Sequence, residues 1–151
     1  MRLPSLPLNG ACRCGQCRIT VNAPPLITAA CHCTGCQRMT ASAFSLTVTV
    51  PSDGFAVVAG EVVKGGLQSP GQDHYFCPNC KSWMFTRIAG FEDFVNLRAT
   101  MLDDLSWFQP FIETMTKEKL LWVKPLARHS YEGFPPMEDF QGLIAEYGAA
   151  S

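Results

Sequence analysis

The 151 residues predict a mainly β protein with one short C-terminal helix, and three features carry that expectation. From Ser42 to Val50 the chain alternates, with Phe44, Leu46, Val48 and Val50 set against Ser45, Thr47 and Thr49, which is the period of two of a strand. A helical period stands out only near the end, where Phe140, Leu143, Ile144 and Tyr147 fall at i, i+3, i+4 and i+7 after Pro135-Pro136. The eight cysteines stand in three tight groups, so sulfur-held ions are expected to reinforce a core of modest size.

The other elements follow in order. Arg18 to Val21 is apolar and β-branched, and stops at Pro24-Pro25. Pro51-Ser52-Asp53-Gly54 closes the strand at Ser42–Val50 with a turn, and Phe55 to Val63 offers a second apolar stretch interrupted at Gly60. Gly65-Gly66 through Pro70-Gly71 reads as a loop leading into His74-Tyr75-Phe76, with His74 placed on a strand. Ser82 to Ile88 and Phe94 to Ala99 read as two more strands flanking Ala89-Gly90. Thr100 to Leu105 opens a short turn, Lys117 to Val123 fits neither period, and the terminal helix ends near Gly148. No repeat or long linker divides the chain. One domain over residues 1–151 is expected, with its motifs between 10 and 102 and a C-terminal extension over 103–151.

Composition bounds the function. With 47% apolar and 17% charged residues the chain is globular rather than disordered. Its net charge of −1 becomes more negative once thiolates hold divalent ions, which argues against a nucleic-acid partner. No apolar run is long enough to span a membrane. Pro4 and Pro7 interrupt the start, so no targeting signal is read there, and a cytoplasmic location with reduced thiols is expected.

The cysteines fall at Cys12, Cys14 and Cys17, at Cys31, Cys33 and Cys36, and at Cys77 and Cys80. C-x-C and C-x-x-C spacings bring neighbouring sulfurs to one side of the chain and suit a metal ion better than disulfides. Spacing alone leaves open which pair completes a four-sulfur site with Cys77 and Cys80: Cys14 with Cys17, or Cys12 with Cys14. Cys31, Cys33 and Cys36 form a three-sulfur set, and three protein ligands leave a fourth position for water or substrate.

Four motifs occur in a fixed order: Gly10-Ala11-Cys12-Arg13-Cys14-Gly15, then Cys31-His32-Cys33-Thr34-Gly35-Cys36-Gln37-Arg38, then Ser42-Ala43-Phe44, then Phe76-Cys77-Pro78-Asn79-Cys80. Together they resemble the glutathione-dependent formaldehyde-activating enzyme family, which also contains centromere-protein-V-like domains. The resemblance implies a β-tent, small antiparallel sheets leaning together and clamped by a structural zinc on Cys12, Cys14, Cys77 and Cys80. It implies a second, weaker zinc site on Cys31, Cys33 and Cys36, and makes Cys17 a buried apolar thiol. Lys81, and Ala41 in the step Thr40-Ala41, stand where the family commonly has glycine.

The implied activity is that of a carbon–sulfur lyase. A small thiol such as glutathione and a small aldehyde such as formaldehyde meet at Cys31, Cys33 and Cys36, while Arg38 and Lys81 hold the thiol's carboxylates. The alternative is a non-enzymatic zinc module of the centromere-protein-V kind, which 12 basic against 13 acidic residues disfavour. A methionine sulfoxide reductase ranks last, because no cysteine follows Cys80. His32 is placed outside the ligand set, at the surface or just behind it, and His129 in a polar tail. Phe44, Phe76, Trp83 and Phe85 are expected in the core. Unpaired strand edges make a homodimer an expectation.

Overall fold

The computed structural model describes residues 2–67 and 70–150; two residues of the expected loop, 68 and 69, lie outside them. The chain opens with β1 (Leu8–Ala11) and β2 (Arg18–Val21), an antiparallel pair that places Leu8 opposite Val21 and Gly10 opposite Ile19. Then come β3 (Ile27–Cys31), the helix α1 (Thr34–Thr40) and β4 (Ser45–Pro51). After a 3-10 turn at Ser52–Gly54 follow β5 (Phe55–Ala59), β6 (Val63–Lys64), β7 (Gln72–Phe76), β8 (Trp83–Ile88) and β9 (Phe94–Arg98). β10 (Ile112–Thr114), β11 (His129–Ser130) and α2 (Phe140–Ala149) complete the chain.

These strands form two sheets, one of three strands in the order β1-β2-β5 and one of eight in the order β11-β10-β3-β4-β9-β8-β7-β6. Leu8, Ile19 and Val21 of the first and Val48, Val50, Phe85, Val95 and Leu97 of the second bury their side chains in one shared core. This is the leaning-sheet arrangement expected, although the larger sheet is wider than anticipated. It is also not purely antiparallel: β10 runs parallel to both β3 and β11.

Gly10 shows why the first motif begins with glycine. A Cβ there would sit 2.2 Å from the carbonyl oxygen of Met101, so only glycine lets β1 bridge to Leu102. A second cluster, Ile27, Phe111, Ile112, Leu143 and Tyr147, packs α2 against the β3–β10 end of the large sheet. Each such side chain contributes roughly 1.5–3 kcal/mol by leaving water.

Several sequence expectations change. The strand expected from Ser42 starts at Ser45, and Phe44 precedes it. α1 was not anticipated; it starts at the N-cap Cys33, carries Cys36 and precedes β4. The undecided stretch at Lys117 holds a 3-10 turn, Thr116–Glu118. His129 is no tail residue: it pairs in β11 and reaches Glu146 at 3.0 Å.

Two cysteine centres and a basic cleft

All eight cysteines are free thiols. Four of them, Cys12, Cys14, Cys77 and Cys80, bring their sulfurs within 4.8 Å of one another. Backbone turns build this cluster. Cys12 N–H donates to Cys17 O and Gly15 N–H to Cys12 O in one turn, and Lys81 N–H donates to Cys77 O in the other, each at 3.0 Å. The first turn follows β1 and the second follows β7, so the cluster joins the two sheets.

Two of the sulfur separations are 3.6 Å for Cys12–Cys14 and 3.8 Å for Cys14–Cys77. A tetrahedron of thiolates at about 2.3 Å from a central ion has edges of about 3.8 Å, so the four sulfurs fit a closed metal site. Cys17 N–H donates to Cys12 Sγ at 3.3 Å, and Ser82 Oγ lies 3.2 Å from Cys80 Sγ. The Ser82 hydroxyl is the main reason that the Cys80 thiol is held down to about 5, despite opposing desolvation. Cys17, left open by spacing, is excluded from the set. Its side chain is fully buried, with Sγ 3.8 Å from Glu61 O, and burial pushes its thiol up. That matches the inert apolar thiol expected.

Cys31, Cys33 and Cys36 also converge within 4.8 Å, and all three are half-buried. Cys31 ends β3 and Cys33 is the N-cap of α1, its Sγ accepting from Cys36 N–H at 3.2 Å. The helix therefore carries Cys36 back toward the strand end. Glu118 fixes that helix by accepting from Thr34 N–H and Thr34 Oγ1 at 3.2 and 3.0 Å. A hydrogen bond from Cys36 pulls the Cys31 thiol down to about 5 against the opposing effect of burial. The same bond, reinforced by burial, pushes Cys36 strongly up. Loading the trio with a cation thus displaces protons, and its affinity rises with pH.

His32, between two of these thiols, is fully buried rather than at the surface. Its Nε2 lies 2.8 Å from Glu113 Oε2, while Ser130 Oγ donates to Glu113 Oε1. Sequence reading missed Glu113, because 81 residues separate it from His32.

A cleft of about 420 Å³ is lined by Ser42, Ser45, Lys81, Ser82, Trp83 and Arg98 among others, with no cysteine in its wall. Ser45 links it to the thiols, since its hydroxyl bonds to Cys36. Lys81 lines it, as its proposed role requires; Arg38 sits exposed on α1 and does not. Of the expected aromatic core group, Trp83 and Phe85 are buried, whereas Phe44 and Phe76 are half-buried and Phe44 also borders the cleft.

Both departures from glycine occupy left-handed backbone, Ala41 at φ 51° and Lys81 at φ 62°. A side chain there costs about 1–2 kcal/mol. Ala41→Gly is expected to raise the melting temperature by about 2–4 °C. Lys81→Gly is expected to gain less, because Lys81 Nζ donates to Pro78 O at 2.7 Å, and Lys81→Ala should melt lowest of the three. A melting series checks that order.

Fold and site together define a mainly β protein with one closed and one open thiol-rich centre. Residues 7–118 match the glutathione-dependent formaldehyde-activating enzyme family, and the chain belongs to that family. No curated protein sequence matches the chain. Among solved structures, that of a Rhodobacter sphaeroides protein is similar in fold, with a TM-score of 0.53 at 17% identity over 82% of this chain and 98% of the other. Among the described residues no helix is long and apolar enough to cross a membrane.

Proposed function

We propose that the protein is a zinc-dependent carbon–sulfur lyase in which Cys31, Cys33 and Cys36 hold the reacting zinc and a second zinc on Cys12, Cys14, Cys77 and Cys80 is structural. The observation that supports this most is the contrast between the two centres. Four sulfurs fill a closed set with two members buried, whereas three half-buried sulfurs leave a fourth ligand position and reach a cleft through Ser45. At the open centre zinc supplies thiolate stabilisation and carbonyl polarisation.

The chain's own groups do the rest. Cys33 and Cys36 give up their protons to ligate, Cys36 N–H and Ser45 Oγ bond the sulfurs and orient them, and the half-buried cleft admits a small thiol from solvent. Lys81, and Arg38 from the exposed side of α1, are the proposed contacts for its carboxylates. The reaction joins the thiol sulfur to the aldehyde carbon, and the thiol proton ends on the carbonyl oxygen. With glutathione and formaldehyde the product is S-(hydroxymethyl)glutathione; the reverse step breaks the same carbon–sulfur bond. Reduced thiols of this kind suit a cytoplasmic setting.

Zinc per chain and exchange between glutathione and its formaldehyde adduct test the reading. Two zinc ions are expected in the wild type and one in Cys33→Ser, with exchange in the variant falling to the spontaneous rate. Wild-type exchange no faster than buffer would overturn the enzyme reading in favour of a non-enzymatic module.

A further inference from the structure

Arg98 is a charged side chain that β9 of the large sheet buries without an ion-pair partner among the described residues, unlike Glu113, which meets His32. Arg98 is only 8% exposed, and its Nε has no hydrogen-bond partner. Among the described residues its hydrogen bond is a long one, Nη2 donating to Asn96 O at 3.4 Å. No carboxylate pairs with it among the described residues. An unpaired buried guanidinium is costly, since its attraction to a counter-charge is not realised.

The surroundings hold this cation in place. The guanidinium lies over the Trp83 indole, 4.2 Å from the ring centroid. Trp83 Nε1 donates to Thr86 Oγ1 at 3.1 Å, and that hydroxyl meets His74 Nδ1 at 2.8 Å. Burial first, and Arg98 second, push His74 toward its neutral form, so it brings no competing charge. Arg98 itself, lowered to about 10 by burial with the triad's thiolates opposing the drop, stays protonated at neutral pH.

Register places the cation on the triad's side of the sheet. Cys31 is opposite Ser45, and Arg98 is opposite Thr47 two residues further along the same face of β4. Two strand spacings, about 10 Å, separate the β3 and β9 backbones. The cleft carries Arg98, Lys81 and the hydroxyls of Ser42, Ser45 and Ser82, with no Asp or Glu in its lining, and Ser45 links it to Cys36. In a protein of net charge −1, such a basic, hydroxyl-rich recess is locally specialised.

We propose that Arg98 is the anchor for a free carboxylate on the small thiol, so that the protein selects anionic thiols over neutral ones of the same size. The inference rests on the thiol reading above and assigns the recognition element. Arg98 meets a carboxylate in a fork that a lysine cannot reproduce, and the bound anion supplies its missing counter-charge. A substrate sulfur at the triad and a carboxylate at Arg98 fix both ends of the molecule.

Calorimetric titration of the zinc-loaded full chain tests this with glutathione, S-methylglutathione and the diethyl ester of each. The wild type is expected to bind each acid about tenfold or more tightly than its ester. Arg98→Met should erase that preference with two zinc ions retained, and Arg98→Lys should restore part of it. Equal binding of acid and ester by the wild type overturns the proposal, a result that needs no variant to fold. So does an Arg98→Met that weakens acid and ester by the same factor, which would leave Arg98 as charge balance for the thiolates. Failure of the thiol reading looks different: S-methylglutathione would bind as well as glutathione, with both still preferred over their esters.

Discussion

Cys77→Ser is expected to lose one zinc per chain and to unfold or aggregate at temperatures where the wild type is folded. Cys77 is fully buried, and its sulfur sits 3.8 Å from Cys14 across 63 residues of chain. A closed structural zinc contributes about 10–16 kcal/mol of apparent folding free energy in small zinc domains, comparable with an entire domain stability of about 5–15 kcal/mol. The turn after β1 and the turn after β7 meet at this cluster, so losing it separates the two sheets at their common end. Metal analysis and thermal melting check the result. Cys17→Ala is the control: it removes an equally buried thiol outside the set and should keep both zinc ions. A Cys77→Ser chain that melts like the wild type would sink the structural role.

Glu113→Ala is expected to cost about 1–3 kcal/mol, because it leaves a buried histidine nitrogen without its hydrogen-bond partner. His32 and Glu113 are 0% and 1% exposed, and His32 Nδ1 already has no hydrogen-bond partner. Glu113→Gln, which keeps hydrogen-bonding capacity, should cost less. Acid titration separates the variants further. Burial alone would raise the Glu113 carboxyl, but the Ser130 and His32 hydrogen bonds outweigh it and hold it below its ordinary value. A carboxyl depressed in the folded state contributes stability that is fully present above the unfolded value of about 4.3. That contribution fades as pH falls through the lower folded value. The wild type should therefore lose stability more steeply in acid than Glu113→Gln, as urea melts between about pH 3 and 6 would show. Equal acid slopes would remove Glu113 from the account.

The parts of this molecule legible in sequence are those encoded locally. Cysteine spacing located both centres, since C-x-C and C-x-x-C turns converge through geometry that a few residues set. Alternation found β4, and the i, i+3, i+4, i+7 pattern found α2. α1 escaped because its seven residues bury no side chain; a helix held by its N-cap and by Glu118 has no apolar stripe to read. β10 and β11 span three and two residues, too few for a period. Arg98 was missed for a different reason. Within a strand, a charged residue reads as the solvated face, yet here Trp83 covers the guanidinium at the cleft wall. Its signal lies in strand pairing, which only the fold displays.

The match to the family stops at residue 118, but the larger sheet does not. Beyond that point β11 lines up beside β10, Ser130 reaches Glu113, and Tyr147, 1% exposed, packs on Phe111 with ring centroids 5.5 Å apart. A fragment trimmed to the matched segment would strip the outer strand from β10, bare a ribbon of unpaired amides and carbonyls, and uncover the rings beneath. Such an edge recruits other chains rather than folding back. The recognisable segment and the segment able to stay dispersed in solution are, by this geometry, of different lengths.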